Sequence, residues 1–390
     1  MKYGAGLLSF GPLMILNQCG PKPHITTDRT IRRVLCDLHA HIMMNQWNRQ
    51  TPLGRQYPFL ETVAREMFNL FKIDFEHCHQ AGVDVICATY FNVFDEWLSM
   101  PTDPNPEAPF HTHRMMDQLE AELNGKSAAY ARLAKNGAEL AAMVQMSKAD
   151  PEWRTTVVHA IEGGHALGGD LSALASFADR GVAIIAISHF FNKGIASAPN
   201  SFPFFPDVGA RWPNQGLSEF GRDVVIEMER LGMIVDVTHC STTAVEDVLK
   251  IARRPLVASH VGAYTLSDHP LSVIDEHLQE ISSRGGMIGI IMDPYLVSNY
   301  LSHAESGKEG TLRDAVRAIR YVYKVCGRKH VGIGSDASGY VSPAKDMRHV
   351  SEIGRLRSKL IEEFGEQSIV DDILANNAID FLTTNWGRQG

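Results

Sequence analysis

Eight short apolar runs recur along this chain, at residues 33–37, 83–88, 156–161, 182–188, 233–237, 256–259, 287–292 and 331–335. A run that is apolar throughout, rather than at every second position, belongs to a strand covered on both faces, and helical crossovers between parallel strands provide that cover. The intervening segments have helical period, and helices are expected over 60–80, 113–147, 170–179, 218–231, 241–252, 274–283 and 312–326, with a closing helix over 367–382. Ser218 and Ser241 stand where N-caps belong, and Gly232 occupies the position just past a helix end that favours glycine. Eight alternating units predict an α/β fold, a closed (β/α)8 TIM barrel. No GxGxxG turn follows the first run to favour a dinucleotide-binding sheet.

A chain of 390 residues suits one such barrel, expected over 31–390, with an N-terminal extension over 1–30. The balance of 37 Lys and Arg against 45 Asp and Glu is acidic and contains no basic run. That excludes nucleic acid as the main partner and points to a small solute. Six cysteines without a CxxC pair signal neither a cysteine metal site nor a disulfide framework. Cys19 differs, because Lys2 and the apolar stretch 5–16 before it are similar to a short signal segment ending in a lipidated cysteine, although Asn17 and Gln18 depart from the small residues such a site prefers. The expectation is an extracytoplasmic protein, periplasmic or lipid-anchored, with a cytoplasmic one as the alternative. Contact with a membrane would come only through that anchor, and a homodimer is compatible with the reading.

Barrel enzymes place their chemistry at the C-terminal ends of the strands. The first run leads into Asp37-Leu38-His39-Ala40-His41, where residues two apart share a face and both imidazoles can reach one ion. The third ends in Glu162, a carboxylate that can bridge two cations, followed by Gly163 and Gly164. The fifth and sixth end in His239 and His260, and the eighth in Asp336. Any one of these histidines could be an ordinary core residue. Four imidazoles and a glutamate converging on one rim instead have the pattern of a dinuclear metal site. Ser188-His189 at the end of the fourth run and Asp293-Pro294-Tyr295 after the seventh add donors that could polarise a carbonyl or hold a substrate. Two insertions, 95–112 and 190–215, leave from strand ends and are expected to rim the pocket.

These residues resemble the amidohydrolase superfamily and, more closely, the membrane dipeptidase (renal dipeptidase, peptidase family M19) family, over about residues 35–382. The likeness rests on 37–41, Ile161-Glu162-Gly163-Gly164-His165, Ser188-His189 with Asn192, 216–221, Asp236-Val237-Thr238-His239-Cys240-Ser241, 259–264 and 332–336. It implies a zinc-dependent dipeptidase acting on dipeptides or dipeptide-like small molecules through a metal-bridging hydroxide. Two Zn2+ per chain would be held, one by His39, His41 and Glu162 and the other by Glu162, His239 and His260. Asp336 would move the proton, His189 would stabilise the oxyanion, and Tyr295 would line the pocket. Asn192 and His269 complete the candidate substrate-binding set.

Two features depart from the family pattern. The first strand carries His-x-His where members commonly have His-x-Asp, so His41 replaces an anionic ligand by a neutral one. After the sixth-strand histidine, where dipeptide-cleaving members usually place a carboxylate-binding arginine, the chain reads Ser267-Asp268-His269-Pro270. Alternatives are therefore an amidohydrolase on another small amide, such as an N-acyl amino acid or a cyclic or modified peptide, and a non-catalytic tailoring or binding protein on the same barrel. A phosphotriesterase-like site, bridged by a carbamylated lysine on the fourth strand, does not suit Ser188-His189.

Overall fold

Parallel strands that are buried on both faces close here into a barrel. The computed structural model describes residues 34–44, 47, 71–97, 104–146, 148–199, 215–298 and 310–387. The expected N-terminal extension, its Cys19 and the parts 98–103 and 200–214 of the two insertions lie outside these residues. The strands are β1 Cys36–Ala40, β2 Val85–Tyr90, β3 Ala131–Leu133, β4 Thr155–Glu162, β5 Val182–Ala186, β6 Ile234–Asp236, β7 Val257–Val261, β8 Met287–Ile290 and β9 Val331–Ile333. Their order runs β2-β1-β9-β8-β7-β6-β5-β4-β3, and a further pairing of β2 with β4 closes the ring through every strand except β3. All pairs are parallel, as between β2 and β4, where Val85 faces Thr156 and Tyr90 faces Ile161. This is the (β/α)8 architecture expected from the eight apolar runs.

β3 is the element the sequence reading lacked. It lies against the first half of β4, Ala131 opposite Thr155, while β5 takes over the same edge from His159 onward. The helix expected over 113–147 is therefore two helices, Ala108–Asn124 and Gly137–Val144, with β3 between them. The second is started by Asn136, whose side chain accepts from the Glu139 N–H, so local capping outweighs the continuous helical period. Within 60–80 the described helix is Phe75–Gln80. A helix at Ile353–Phe364, also not expected, packs between the helices Leu312–Cys326 and Gln367–Asp371.

The caps at Ser218, Ser241 and Gly232 form as anticipated. Each serine accepts an N–H three residues on, from Gly221 and Ala244, and Gly232 takes a left-handed φ of 80°. One apolar cluster joins Cys36, Leu38, Cys87, Val158, Ile184 and Met287 of the barrel to Ala378, Ile379 and Leu382 of the helix Asn377–Asn385, which plugs the end away from the histidines. No helix among the described residues is long and apolar enough to cross a membrane. Cys78, Cys87, Cys240 and Cys326 form no disulfide.

Candidate active site

The residues with chemistry leave the barrel together at its open end. β1 carries His39 and runs directly into His41, β4 ends on Glu162, β7 contains His260, and His239 and Asp336 follow β6 and β9 by three residues each. Gly163 has a φ of 92°, and a Cβ there would lie 2.3 Å from the His165 ring, so glycine is what lets the chain turn away immediately after the carboxylate. His239 and Asp336 themselves adopt positive φ, 64° and 53°. That conformation costs a non-glycine residue about 1–3 kcal/mol, a strain characteristic of functional sites.

The geometry centres on Glu162. Its Oε1 lies 3.1 Å from His239 Nε2, 3.3 Å from His260 Nε2 and 3.4 Å from His39 Nε2. Its Oε2 lies 3.3 Å from His41 Nε2 and 3.6 Å from His189 Nε2. All six side chains are buried. The imidazole nitrogens also confront one another, His39 Nε2 to His41 Nε2 at 3.1 Å and His239 Nε2 to His260 Nε2 at 3.0 Å. Two lone pairs cannot face each other at this distance without a proton or a cation between them. Asp336 Oδ1 sits 3.2 Å from His41 Nε2, yet is buried and lacks a well-formed hydrogen bond. This donor set, soft-to-borderline nitrogens around a bridging carboxylate, fits divalent transition metal ions.

A supporting layer aims these side chains. Ser259 Oγ lies 2.8 Å from His260 Nδ1 and 3.4 Å from His39 Nδ1, which directs both Nε2 atoms toward Glu162. Asp37 accepts from Ser335 N and Oγ at 2.8 and 2.5 Å and thereby locks β1 to the end of β9. Asp236 accepts from Thr238 N and Oγ1 and from Ser259 N, joining β6 to β7.

Electrostatics divides the cluster. Burial opposes ionisation of Glu162, but the His189 and His39 rings and the hydrogen bonds of His239 and His260 hold it well below the usual carboxylate range. Burial also opposes protonation of His41, yet Asp336 and Glu162 outweigh it and carry the ring up to about 10. Burial and the neighbouring His189 push His239 down to about 4, and burial together with His260 takes His39 well below its ordinary value. Groups of one kind driven apart in this way mark a site organised around charge.

His189 follows β5 and is oriented by Glu96, a residue that the sequence reading did not single out. Glu96 Oε2 lies 2.7 Å from His189 Nδ1, and its Oε1 accepts from Phe191 N at 3.1 Å. A cleft of about 520 Å³ opens over the cluster, lined by His41, Glu162, His189, His239, His260 and Asp336 and walled by Phe190, Leu271, Leu296 and Tyr340. His269 and Asp293 also line it. Asn192 directs its side-chain oxygen to Gly194 N at 3.0 Å, and the Tyr295 side chain lies outside the described part of the structure.

Comparison with other proteins agrees with this architecture. The profile of the membrane dipeptidase family, peptidase family M19, matches residues 30–384. The chain belongs to that family. An uncharacterised dipeptidase of Schizosaccharomyces pombe is 32% identical over 202 residues, which is 52% of this chain and 46% of that protein. The dipeptidase aclJ of Aspergillus oryzae is 32% identical over 215 residues, 55% of this chain and 47% of that protein. The aligned part thus spans about half the length of these two relatives. Among solved structures, a metallopeptidase of family M19 called dipeptidase AC superposes with a TM-score of 0.72 at 20% identity, covering 91% of this chain and 99% of its own. A metallopeptidase from Rhodobacter sphaeroides, solved with a phosphinate mimic of the dipeptide L-Ala-D-Ala, gives 0.71 at 20% identity over 91% of this chain and 100% of its own. The barrel is the M19 fold.

Proposed function

We propose that this M19 protein is a zinc-dependent dipeptidase that hydrolyses the amide bond of dipeptides or dipeptide-like small molecules. The observation that carries the reading is the Glu162 carboxylate with four imidazole nitrogens, from His39, His41, His239 and His260, all within 3.4 Å of its oxygens. In this reading His39, His41 and Glu162 hold one zinc ion, and Glu162, His239 and His260 hold the other. When bound, the pair supplies Lewis acidity and a water acidic enough to attack near neutral pH.

The chain's own groups supply the rest. Asp336 Oδ1, held at the rim by its positive φ, is placed to take the proton of the attacking water and return it to the departing amine nitrogen. His189 presents Nε2 to the cleft because Nδ1 is fixed on Glu96, and it donates to the substrate carbonyl oxygen as negative charge builds there. Phe190, Leu271 and Leu296 exclude bulk water from that step.

A second reading, an amidase for substrates without a free carboxylate, is favoured by the cleft wall, where His269 and Asp293 are present and no Lys or Arg occurs among the described lining residues. Turnover of a dipeptide panel by the zinc-loaded protein, with N-acyl amino acids, C-terminal amides and cyclic dipeptides beside it, tests both. Hydrolysis of free dipeptides supports the first reading, and hydrolysis confined to the blocked substrates supports the second. No amide turnover on any of them contradicts both.

A further inference from the structure

At the start of the helix Phe75–Gln80 a second group of side chains able to ligate a metal stands apart from the Glu162 cluster. Asp74, His77 and His349 each offer one ligand atom, and these atoms lie within 4.8 Å of one another. Asp74 precedes the helix Phe75–Gln80 and caps it, accepting from His77 N at 2.9 Å. The same carboxylate lies 2.7 Å from His77 Nδ1 and 3.5 Å from His349 Nε2, and the two rings meet edge to face at 4.5 Å. His349 is brought there by backbone pairing, since Lys72 N donates to Arg348 O and Val350 N to Lys72 O, each at 3.0 Å. Without an ion, His349 Nδ1 accepts from Ser351 N at 3.1 Å and Nε2–H is directed at Asp74; ligation through Nε2 releases that proton and places one on Nδ1, where Ser351 Oγ at 2.9 Å can accept it.

We propose that Asp74, His77 and His349 form a surface site for a borderline divalent cation, of the zinc or nickel class. Ligands about 2.0–2.2 Å from a tetrahedral ion stand roughly 3.2–3.6 Å from each other. The Asp74 to His349 separation already meets that spacing, and His77 reaches it by a small ring movement that leaves the backbone cap in place. All three side chains are partly exposed, so water completes the coordination and the ion exchanges freely with solvent. Exposed Lys72 and Arg348 flank the site in sequence and keep its affinity below that of the buried centre.

The site has a mechanical consequence. Phe71 O accepts from Ser338 N at 2.8 Å, so the segment before Asp74 is already fastened to the loop that carries Asp336. An ion shared by His77 and His349 adds a further fastening to these backbone bonds, and its occupancy raises the temperature at which the two stretches separate.

The test uses the full-length protein with its buried centre loaded and excess metal removed. Zinc is then titrated by calorimetry into the wild type and into His349→Ala and His77→Ala, neither of which touches the cleft. The expected result is one additional ion per chain in the wild type, at least about tenfold weaker in each variant, with unchanged turnover. Equal further uptake by all three proteins overturns the proposal. Carbethoxylation of the wild type mapped by mass spectrometry needs no variant. Zinc should protect His77 and His349, and equal modification of both with and without zinc overturns the proposal as well.

Discussion

Glu96 Oε2 lies 2.7 Å from His189 Nδ1, and both side chains are buried although 93 positions separate them in the chain. The contact fixes the ring so that Nε2 faces Glu162, and with Glu162 it outweighs burial to raise the affinity of His189 for a proton. If His189 acts on the substrate oxygen, His189→Ala should lower kcat by roughly 10²-fold. Glu96→Gln should cost less, and the double variant should be no slower than His189→Ala alone. Additive losses in steady-state kinetics would mean that Glu96 acts elsewhere.

Asp336 combines a left-handed backbone with a buried carboxylate oxygen. Asparagine tolerates that backbone about as well as aspartate, so Asp336→Asn removes the proton acceptor without adding strain. Activity should drop by about 10²–10⁴-fold while the bound metal stays, as read by elemental analysis beside kcat. Loss of metal in parallel with activity would make Asp336 a ligand rather than a proton carrier.

Gly163 turns the chain at a φ of 92° directly after Glu162, and a Cβ at that point meets the His165 ring at 2.3 Å. Gly163→Ala should therefore shift the bridging carboxylate and weaken metal retention, besides destabilising the fold by about 1 kcal/mol or more. Release of zinc to a chelator, followed optically, measures the first effect and thermal unfolding the second. Retention equal to the wild type would remove Gly163 from the account of the site.

The His41 ring is carried from its ordinary 6.5 up to about 10 by Asp336 and Glu162 against the effect of burial. In the metal-free protein that proton stabilises the fold fully below pH 6.5, and the contribution is lost as pH rises through 10. A metal ion replaces the proton, so zinc binding near neutral pH should release at least one proton and should weaken as pH falls. Calorimetry in buffers of different ionisation enthalpy reads this directly. Zinc uptake with no proton release would mean that His41 is not a ligand.

Much of this was legible in the amino-acid order, for identifiable reasons. Strands such as Thr155–Glu162, buried at every position, have to be covered on both faces, and that requirement exposes a barrel without any knowledge of contacts. His39, His41, Glu162, His239 and His260 could be picked out because barrel closure brings strand ends together. The strand Ala131–Leu133 was hidden because three residues lying inside a long helical period carry no periodicity of their own, and only Gly125 and the Asn136 cap mark the interruption. Glu96 was hidden for a different reason. It sits in a polar insertion, and its partner is known only once two distant strand ends are placed side by side.

The most direct test is anomalous diffraction at the zinc edge from crystals of the loaded protein. The account predicts two strong peaks flanking Glu162, one shared with His39 and His41 and the other with His239 and His260. Density for zinc only elsewhere, or none at Glu162, would contradict it.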